Sequence, residues 1–217
     1  MVLAMMLFVG VHMRVHAEKK DYLYREVTGE SVNFVSMSFI RQVDDISRSI
    51  VYDDSRVDYA LTGHYSGTFR IVKTHPDTIV EGAVEENVIT LSVNDKKKTL
   101  PLPDGIWIQT PHALDTWVLS GEQSIAFWVA SAETDDVIVY MKAKKKAIEQ
   151  ISIDGKIIDA MHVEVTLRGL KALFWKAHYW FRQEDGMLLK YRETRGGPGT
   201  KETIGEMVMN EVNSEKE

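Results

Sequence analysis

Two histidines and a glutamate in the last third of the chain are the residues best suited to chemistry. His162 and Glu164 lie in one alternating run, and His178 lies in the next strand-like run. If these runs are neighbouring strands, the histidines approach each other with Glu164 nearby, which is the composition of a metal or acid–base site. The simpler interpretation is a solvated polar face. We therefore predict no catalytic residue and no metal ligand.

Two glycine-containing motifs do not meet the requirements of a functional site. Residues 196–203 resemble a phosphate-binding loop, but Lys201 does not directly follow the last glycine and Glu202 replaces the hydroxyl residue. We expect a hairpin loop there. Residues 63–67 lack the nucleophile-elbow pattern, so Ser66 is predicted to be a strand residue.

A set of large aromatic residues is the remaining candidate site. Their number exceeds what one sheet face must bury, so one part should be core. The other part either lies beneath a helix or lines a pocket for an apolar ligand, and both alternatives stay open. The candidate ligand-binding residues are Trp107, Trp117, Phe127, Trp128, Phe174, Trp175, Tyr179 and Trp180.

The elements that position these residues are strands. Residues 162–168 alternate strictly, which places Val163, Val165 and Leu167 on one face. Residues 172–182 carry aromatics on both faces, residues 183–186 form a turn around Asp-Gly, and residues 187–192 form the returning strand. These runs predict an antiparallel meander.

The rest of the chain repeats short strand-like runs at even spacing, separated by turn residues. This pattern predicts an all-β, curved antiparallel sheet of nine to twelve strands. One or two short helices are expected, one of them at residues 112–119 after Thr110-Pro111. The lysine runs at 96–98 and 144–146 are assigned to a hairpin tip and a solvated hairpin end. The further predicted strands are 22–27, 32–41, 46–52, 56–61, 65–73, 78–84, 88–93, 125–130 and 137–142.

Composition limits the class of protein. The 217 residues carry a formal net charge of −6 and no cysteine. The acidic balance gives no reason to expect nucleic acid as a partner, and the lack of cysteine excludes disulfides and cysteine zinc sites. A single domain is expected at this length.

The first residues have a different composition. Residues 2–11 are apolar, and Val15-His16-Ala17 precedes charged residues, which predicts a signal peptide of residues 1–17. The alternative is a buried first element of a cytosolic protein. Cleavage after Ala17 leaves a domain of residues 18–217, with a frayed tail at 210–217, in the periplasm. No later stretch reaches the roughly 18 apolar residues of a membrane span.

Several segments of the second half resemble a family of exported bacterial proteins of unknown function. They are Phe127-Trp128, residues 155–165, Tyr179-Trp180-Phe181 and residues 185–191. That family is similar in fold to the periplasmic carriers of outer-membrane lipoproteins. The resemblance implies a half-barrel around one or more helices, with an apolar concavity that receives acyl chains in the carriers. It implies no catalytic residue.

These observations lead to a functional prediction. We expect a non-enzymatic periplasmic binding or carrier module for a lipidic or other apolar ligand, without a cofactor. The alternative is an envelope protein-interaction or assembly factor that docks through its aromatic face or a sheet edge. A hydrolase built on His162, His178 and Glu164 is the third hypothesis.

Overall fold

The computed structural model describes most of the chain between residues 18 and 209. The described ranges are 18–42, 45–52, 55–62, 66–74, 77–85, 88–93, 96–101, 105–108, 114–130, 138–169, 175–194 and 199–209. The predicted signal peptide, the predicted frayed tail and Phe174 lie outside these ranges.

Within these ranges, fifteen strands form one sheet with the order β8-β7-β6-β5-β4-β3-β2-β1-β15-β14-β13-β12-β11-β10-β9. Neighbouring strands are antiparallel, except that β9 runs parallel to β10. The elements are β1 Glu18–Thr28, β2 Ser31–Gln42, β3 Asp45–Val51, β4 Ser55–Thr62, β5 Ser66–Thr74, β6 Asp77–Glu85, β7 Val88–Val93, β8 Lys96–Pro101, β9 Ile106–Trp107, α1 Asp115–Leu119, β10 Ser124–Ala130, β11 Ile138–Ile153, β12 Lys156–Leu167, β13 Lys176–Arg182, β14 Leu188–Thr194 and β15 Glu202–Val208.

The predicted all-β, curved antiparallel fold is confirmed, and the sheet does not close into a barrel. The predicted count of nine to twelve strands was too low because β8, β9 and β15 were not recognised. Strand β8 begins with three lysines, β9 has two residues, and β15 begins inside the predicted loop at residues 196–203. Ser66 begins β5, as predicted.

Strict alternation separates the two faces of the sheet. Val163 pairs with Tyr179 and Val165 pairs with Ala177, and all four side chains are fully buried. We call the face that carries these residues the inner face. The opposite, outer face carries His162 and its neighbours, which are only half-buried.

Helix α1 lies over the inner face and contacts both halves of the sheet. Asp115 at its start forms an ion pair of 2.7 Å with Arg48 of β3. Ser120, directly after its end, accepts a hydrogen bond of 2.5 Å from Lys145 Nζ of β11. That ammonium also lies 4.9 Å from the centre of the Trp117 ring. The predicted helix at residues 112–119 is confirmed for its last five residues, and residues 110–113 lie outside the described ranges.

Each prediction for the lysine runs holds only in part. Lys96 pairs with Val93 across the predicted hairpin, but the run continues as a strand. Lys144 and Lys146 are exposed, as predicted, whereas Lys145 is not. Lys145 lies within the sixteen-residue strand β11 and is buried on the inner face opposite Val163. Burial lowers the pKa of Lys145, and Glu122 opposes this shift. Lys96, Lys97 and Lys98 belong to β8, at one edge of the sheet, where lysines discourage pairing with another chain. A run of like charges is therefore compatible with a strand when the edge is exposed or a partner is available.

A β-bulge in β11 decides which side chains reach the outer face. From Lys145 to Ile148 the strand advances three residues while its partner advances two, from Val163 to Met161. The extra residue reverses the alternation beyond this point. As a result Glu149 lies on the outer face, although spacing from Lys145 alone would place it on the inner face.

Gly205 of β15 leaves room for an aromatic ring. It pairs with Tyr191 of β14, and a Cβ built on Gly205 would overlap the Tyr191 ring. The ring is almost fully buried, and its hydroxyl donates a hydrogen bond to the buried carboxylate of Glu26. The absence of a side chain at Gly205 is therefore required for the packing of the Tyr191 ring.

We predict that Gly205→Ala lowers the free energy of unfolding by about 1–3 kcal/mol, because the new methyl group forces the buried ring to move. Urea unfolding followed by tryptophan fluorescence measures this change. Gly121→Ala is the matched control, since no atom lies within 4 Å of a Cβ built there. Equal stability of the two variants would contradict the packing role.

Candidate functional site

The inner face retains a cavity of about 350 Å³ between β1, β2, β3, α1 and the β13–β14 turn. We call it the inner cavity. Its apolar walls combine aromatic, methionine and leucine side chains, a composition typical of sites for small apolar ligands. The apolar lining residues are Tyr22, Tyr24, Met37, Phe39, Leu119, Met187 and Leu188. Leu119 and Glu184 are exposed, so the rim of the cavity reaches solvent.

An ion pair forms the polar part of this cavity. Arg48 Nη2 donates to Asp115 Oδ1 at 2.7 Å, and the two side chains are only 4% and 12% exposed. The Arg48 guanidinium also lies 4.7 Å from the centre of the Phe39 ring. Both charges are removed from water, so each depends on its partner for stabilisation.

The β13–β14 turn closes the cavity on the other side. Arg182 donates two hydrogen bonds to the Asp185 carboxylate, at 2.9 and 2.7 Å, and Met187 N–H donates a third at 3.1 Å. The Arg182 hydrogen bonds lower the pKa of Asp185 and raise that of Arg182. Gly186 has φ of 72° and packs so closely on α1 that a Cβ would lie 2.6 Å from the Asp115 carbonyl oxygen. The predicted Asp-Gly turn is thus confirmed, and it also contacts the helix.

A second, larger cavity of about 660 Å³ lies mainly over the outer face of β2–β7. We call it the outer groove. Short side chains and one row of paired polar residues line it, including Arg70 and Glu81 at 3.1 Å. Apart from Ile40, its lining residues are polar or no larger than alanine, and no aromatic side chain is among them in the part of the chain that the structure describes.

The histidine cluster on the outer face joins three strands. His162 Nε2 and His178 Nδ1 are 2.9 Å apart, and His162 Nδ1 lies 2.8 Å from Glu149 Oε1. Trp180 Nε1 donates to the other Glu149 oxygen at 2.8 Å, and its ring stacks on His162 at 4.8 Å. The structure thus brings the two predicted histidines into direct contact.

The predicted carboxylate of this cluster is not the one that contacts His162. Glu164 accepts a hydrogen bond of 3.2 Å from Lys146, whereas Glu149 binds His162. Glu149 was missed because the bulge that turns it outward has no signature in the alternation of β11. In the described ranges, no group of three or more His, Cys, Asp or Glu side chains is arranged to hold a metal ion.

Arg48, Asp115 and Lys145 were also missed by the sequence analysis. The alternation of the sequence could have indicated two of them. Arg48 falls on the same side of its strand pattern as the apolar Ile46 and Ile50, and Lys145 falls on the same side as Ala143. An ionisable residue in phase with an apolar set indicates a buried charge that needs a partner.

The predicted aromatic residues are distributed through the core rather than around one cavity. Phe127 and Tyr179 are fully buried, Trp117 and Trp180 are nearly so, and Trp128 and Trp175 are half-buried. The Trp107 side chain and Phe174 lie outside the described part. None of the six described side chains lines the inner cavity or the outer groove. Their role in ligand binding stays a prediction.

Comparison with known proteins identifies the fold. A beta-barrel-like protein of the domain of unknown function DUF1849 from Brucella abortus superposes with a TM-score of 0.52, at 12% identity, over 90% of this chain and 97% of that chain. This chain shares the fold of that bacterial protein. The hypothetical lipoprotein YmcC from Escherichia coli superposes with a TM-score of 0.39, at 12% identity, over 87% of this chain and 84% of that chain.

No protein-family model matches the sequence, and no curated protein matches it. The likeness to the Brucella abortus protein therefore establishes the β-rich fold alone. Within the described residues, the single helix is too short to cross a membrane.

We predict that Arg48→Met alone lowers the free energy of unfolding by about 3–5 kcal/mol, because it leaves the buried Asp115 carboxylate without its cation. The double variant Arg48→Met/Asp115→Leu should recover most of this loss, since it removes both charges. Denaturant unfolding of both single variants and the double variant gives the coupling energy. Additive losses would show that the ion pair is not the connection between α1 and β3.

Proposed function

We propose that this protein is a non-enzymatic binding or carrier module for a lipidic or other apolar ligand of the bacterial cell envelope, and that the inner cavity receives the ligand. The observation that supports this is the lining of that cavity. Aromatic, methionine and leucine side chains form its walls, and the two buried charges of its lining, Arg48 and Asp115, are paired with each other.

The lining also indicates the kind of ligand. Lys20 and Arg48 supply two positive charges, and Asp115, Glu184 and Asp185 supply three negative charges. This balance gives no advantage to an anionic ligand. Binding would instead rest on removing apolar surface from water, at roughly 0.8 kcal/mol for each buried methylene. Flexible methionines such as Met37 and Met187 can adapt to ligands of different shape.

The outer groove is larger, but its chemistry fits this ligand class less well. Its rim carries the exposed charges of Arg70 and Glu81, and short serine, threonine and alanine side chains cover its floor. Among its described lining residues there is no aromatic or methionine side chain against which an apolar ligand could pack. We therefore assign the ligand to the inner cavity.

The envelope location rests on the predicted signal peptide. Strand β1 begins at Glu18, so cleavage after Ala17 leaves every described strand intact. We predict a mature protein that begins at Glu18 when the full chain is expressed in a Gram-negative host and recovered from the periplasm. Intact-mass measurement and N-terminal sequencing test this. A chain that keeps its first seventeen residues in the cytoplasm would contradict the proposed location.

Docking of an envelope protein remains the alternative, as predicted from the sequence. Strand addition is disfavoured at both edges of the described sheet. Edge strand β8 carries Lys96, Lys97, Lys98 and Pro101, residues that hinder pairing with another strand, and edge strand β9 is only two residues long. The sheet edges therefore give this alternative no support.

We predict that the wild-type protein binds the neutral fluorescent probe N-phenyl-1-naphthylamine and that Met187→Trp weakens binding by roughly tenfold or more, because the larger side chain fills part of the inner cavity. Fluorescence titration measures the dissociation constant. Met209→Trp is the matched control, since this partly buried methionine packs on the core without lining the inner cavity.

A third variant separates the two cavities. Ala83→Trp places an indole in the outer groove and should leave probe binding unchanged. Loss of binding in Ala83→Trp with retention in Met187→Trp would move the site to the outer groove. Absence of probe binding, together with a ligand-free mass after purification from the periplasm, would contradict the proposed function.

A further inference from the structure

The histidine cluster has the geometry of a connection that depends on protonation. It links Glu149 of β11, His162 of β12 and His178 of β13 through two hydrogen bonds of 2.8 and 2.9 Å. We propose that this cluster is an acid-sensitive latch, which holds β11, β12 and β13 together near neutral pH and opens when both imidazoles are protonated.

The latch follows from the number of protons that the two facing nitrogens can share. A hydrogen bond between His162 Nε2 and His178 Nδ1 requires one protonated and one unprotonated nitrogen. The Glu149 carboxylate accepts from His162 Nδ1–H, which leaves His162 Nε2 as the acceptor for His178 Nδ1–H. One additional proton can enter at the far nitrogen of His178 without breaking the bond. A second proton leaves two N–H groups and two positive charges facing each other at this distance.

Neighbouring groups favour the closed state at neutral pH. The Trp180 hydrogen bond, together with His162, lowers the pKa of Glu149, so the carboxylate stays ionised and available as an acceptor. Burial, followed by Arg192, His162 and Lys176, lowers the pKa of His178, and Glu164 opposes this shift.

The surrounding charges come from all the strands that pack beside the cluster. On the outer face beyond β13, two cations of β14 form ion pairs with two carboxylates of β15. Lys190 Nζ lies 2.5 Å from Glu206, and Arg192 Nε lies 3.4 Å from Glu202. On the other side, Lys146 of β11 lies 3.2 Å from Glu164. Lys176 of β13 is a further cation that acts on His178, Glu164 acts on it in the opposite direction, and Glu149 is in direct contact with His162.

The latch holds the end of the β11–β12 hairpin that contains its turn. This part begins at the bulge before Ile148 and carries the exposed side chains of Ile148 and Ile157. Besides the strand pairing, Asp154 at its turn accepts a hydrogen bond of 2.7 Å from the backbone of Met209. Opening of the cluster would therefore remove one connection of this element to β13, while the Trp180–Glu149 hydrogen bond and the buried Ile153 stay in place.

The direction of the pH dependence follows from the lowered pKa of His178. His178 of the unfolded chain takes up its proton near the ordinary histidine value of 6.5, whereas His178 of the folded chain takes it up at lower pH. Protonation of His178 is the first of the two steps that open the latch, so the stability that depends on neutral His178 is present above pH 6.5. It decreases as the pH falls below that value and is lost below the pKa of the folded state.

His178→Asn tests this proposal, because the asparagine amide can still donate to His162 Nε2 but cannot be protonated. Between pH 7.5 and 5.0, the unfolding temperature of the wild type should fall by roughly 2–4 °C more than that of His178→Asn. Amide hydrogen exchange in residues 148–158, corrected for the intrinsic effect of pH, should increase about tenfold on acidification in the wild type alone. The control Glu206→Gln removes a charge on the same face and should keep the wild-type pH dependence.

These measurements use the protein without ligand, so they do not depend on the proposed function. Equal pH dependence in the wild type and His178→Asn would overturn the latch. If His178→Asn does not fold, NMR titration of the wild-type imidazoles decides the question. Two separate steps, the second below pH 6.5, support the proposal, whereas independent titration of His162 and His178 at the ordinary histidine value contradicts it.

Discussion

The structure depends on charged side chains that are buried against α1. A sheet of fifteen strands that does not close into a barrel has a long inner face to cover, and α1 has only five residues. Apolar packing by Trp117 and Val118 is one part of this cover. Arg48 and Lys145 connect the helix to strands on opposite sides of the sheet order. Because these charges are removed from water, displacement of the helix would break the Arg48–Asp115 and Lys145–Ser120 contacts at a high energetic cost, which fixes its position.

The same arrangement explains why a cavity persists beside a well-packed core. The Arg48–Asp115 pair and the Asp185 turn hold the walls of the inner cavity by directional hydrogen bonds. Apolar contacts alone would let the walls move together and fill the space. Farther along the sheet, Tyr179 and Trp175 also donate hydrogen bonds, to Glu193 and to the Thr194 carbonyl, and their rings pack into the core or against it.

The two faces of the C-terminal strands have different physical roles. The inner face contributes most of the apolar burial, together with the buried charges that hold α1. The outer face carries alternating acids, bases and histidines whose hydrogen bonds depend on protonation. The bulge in β11 creates this division, because it sends Lys145 inward to α1 and Glu149 outward to His162. One extra residue in β11 therefore allows the same strand to contact α1 on the inner face and His162 on the outer face.

Local pattern was sufficient for the fold class and for many strands, because side chains alternate with a period of two within each strand. The strand around Val163 and Val165 and the Asp-Gly turn at Gly186 could be predicted in this way. Contacts between distant residues could not be predicted, since they depend on register and bulges summed over many strands. The proximity of His162 and His178 follows from strand pairing, and the sequence raised it as one alternative. The partner of His162, the burial of Lys145 and the pairing of Arg48 with Asp115 were decided only by the tertiary structure.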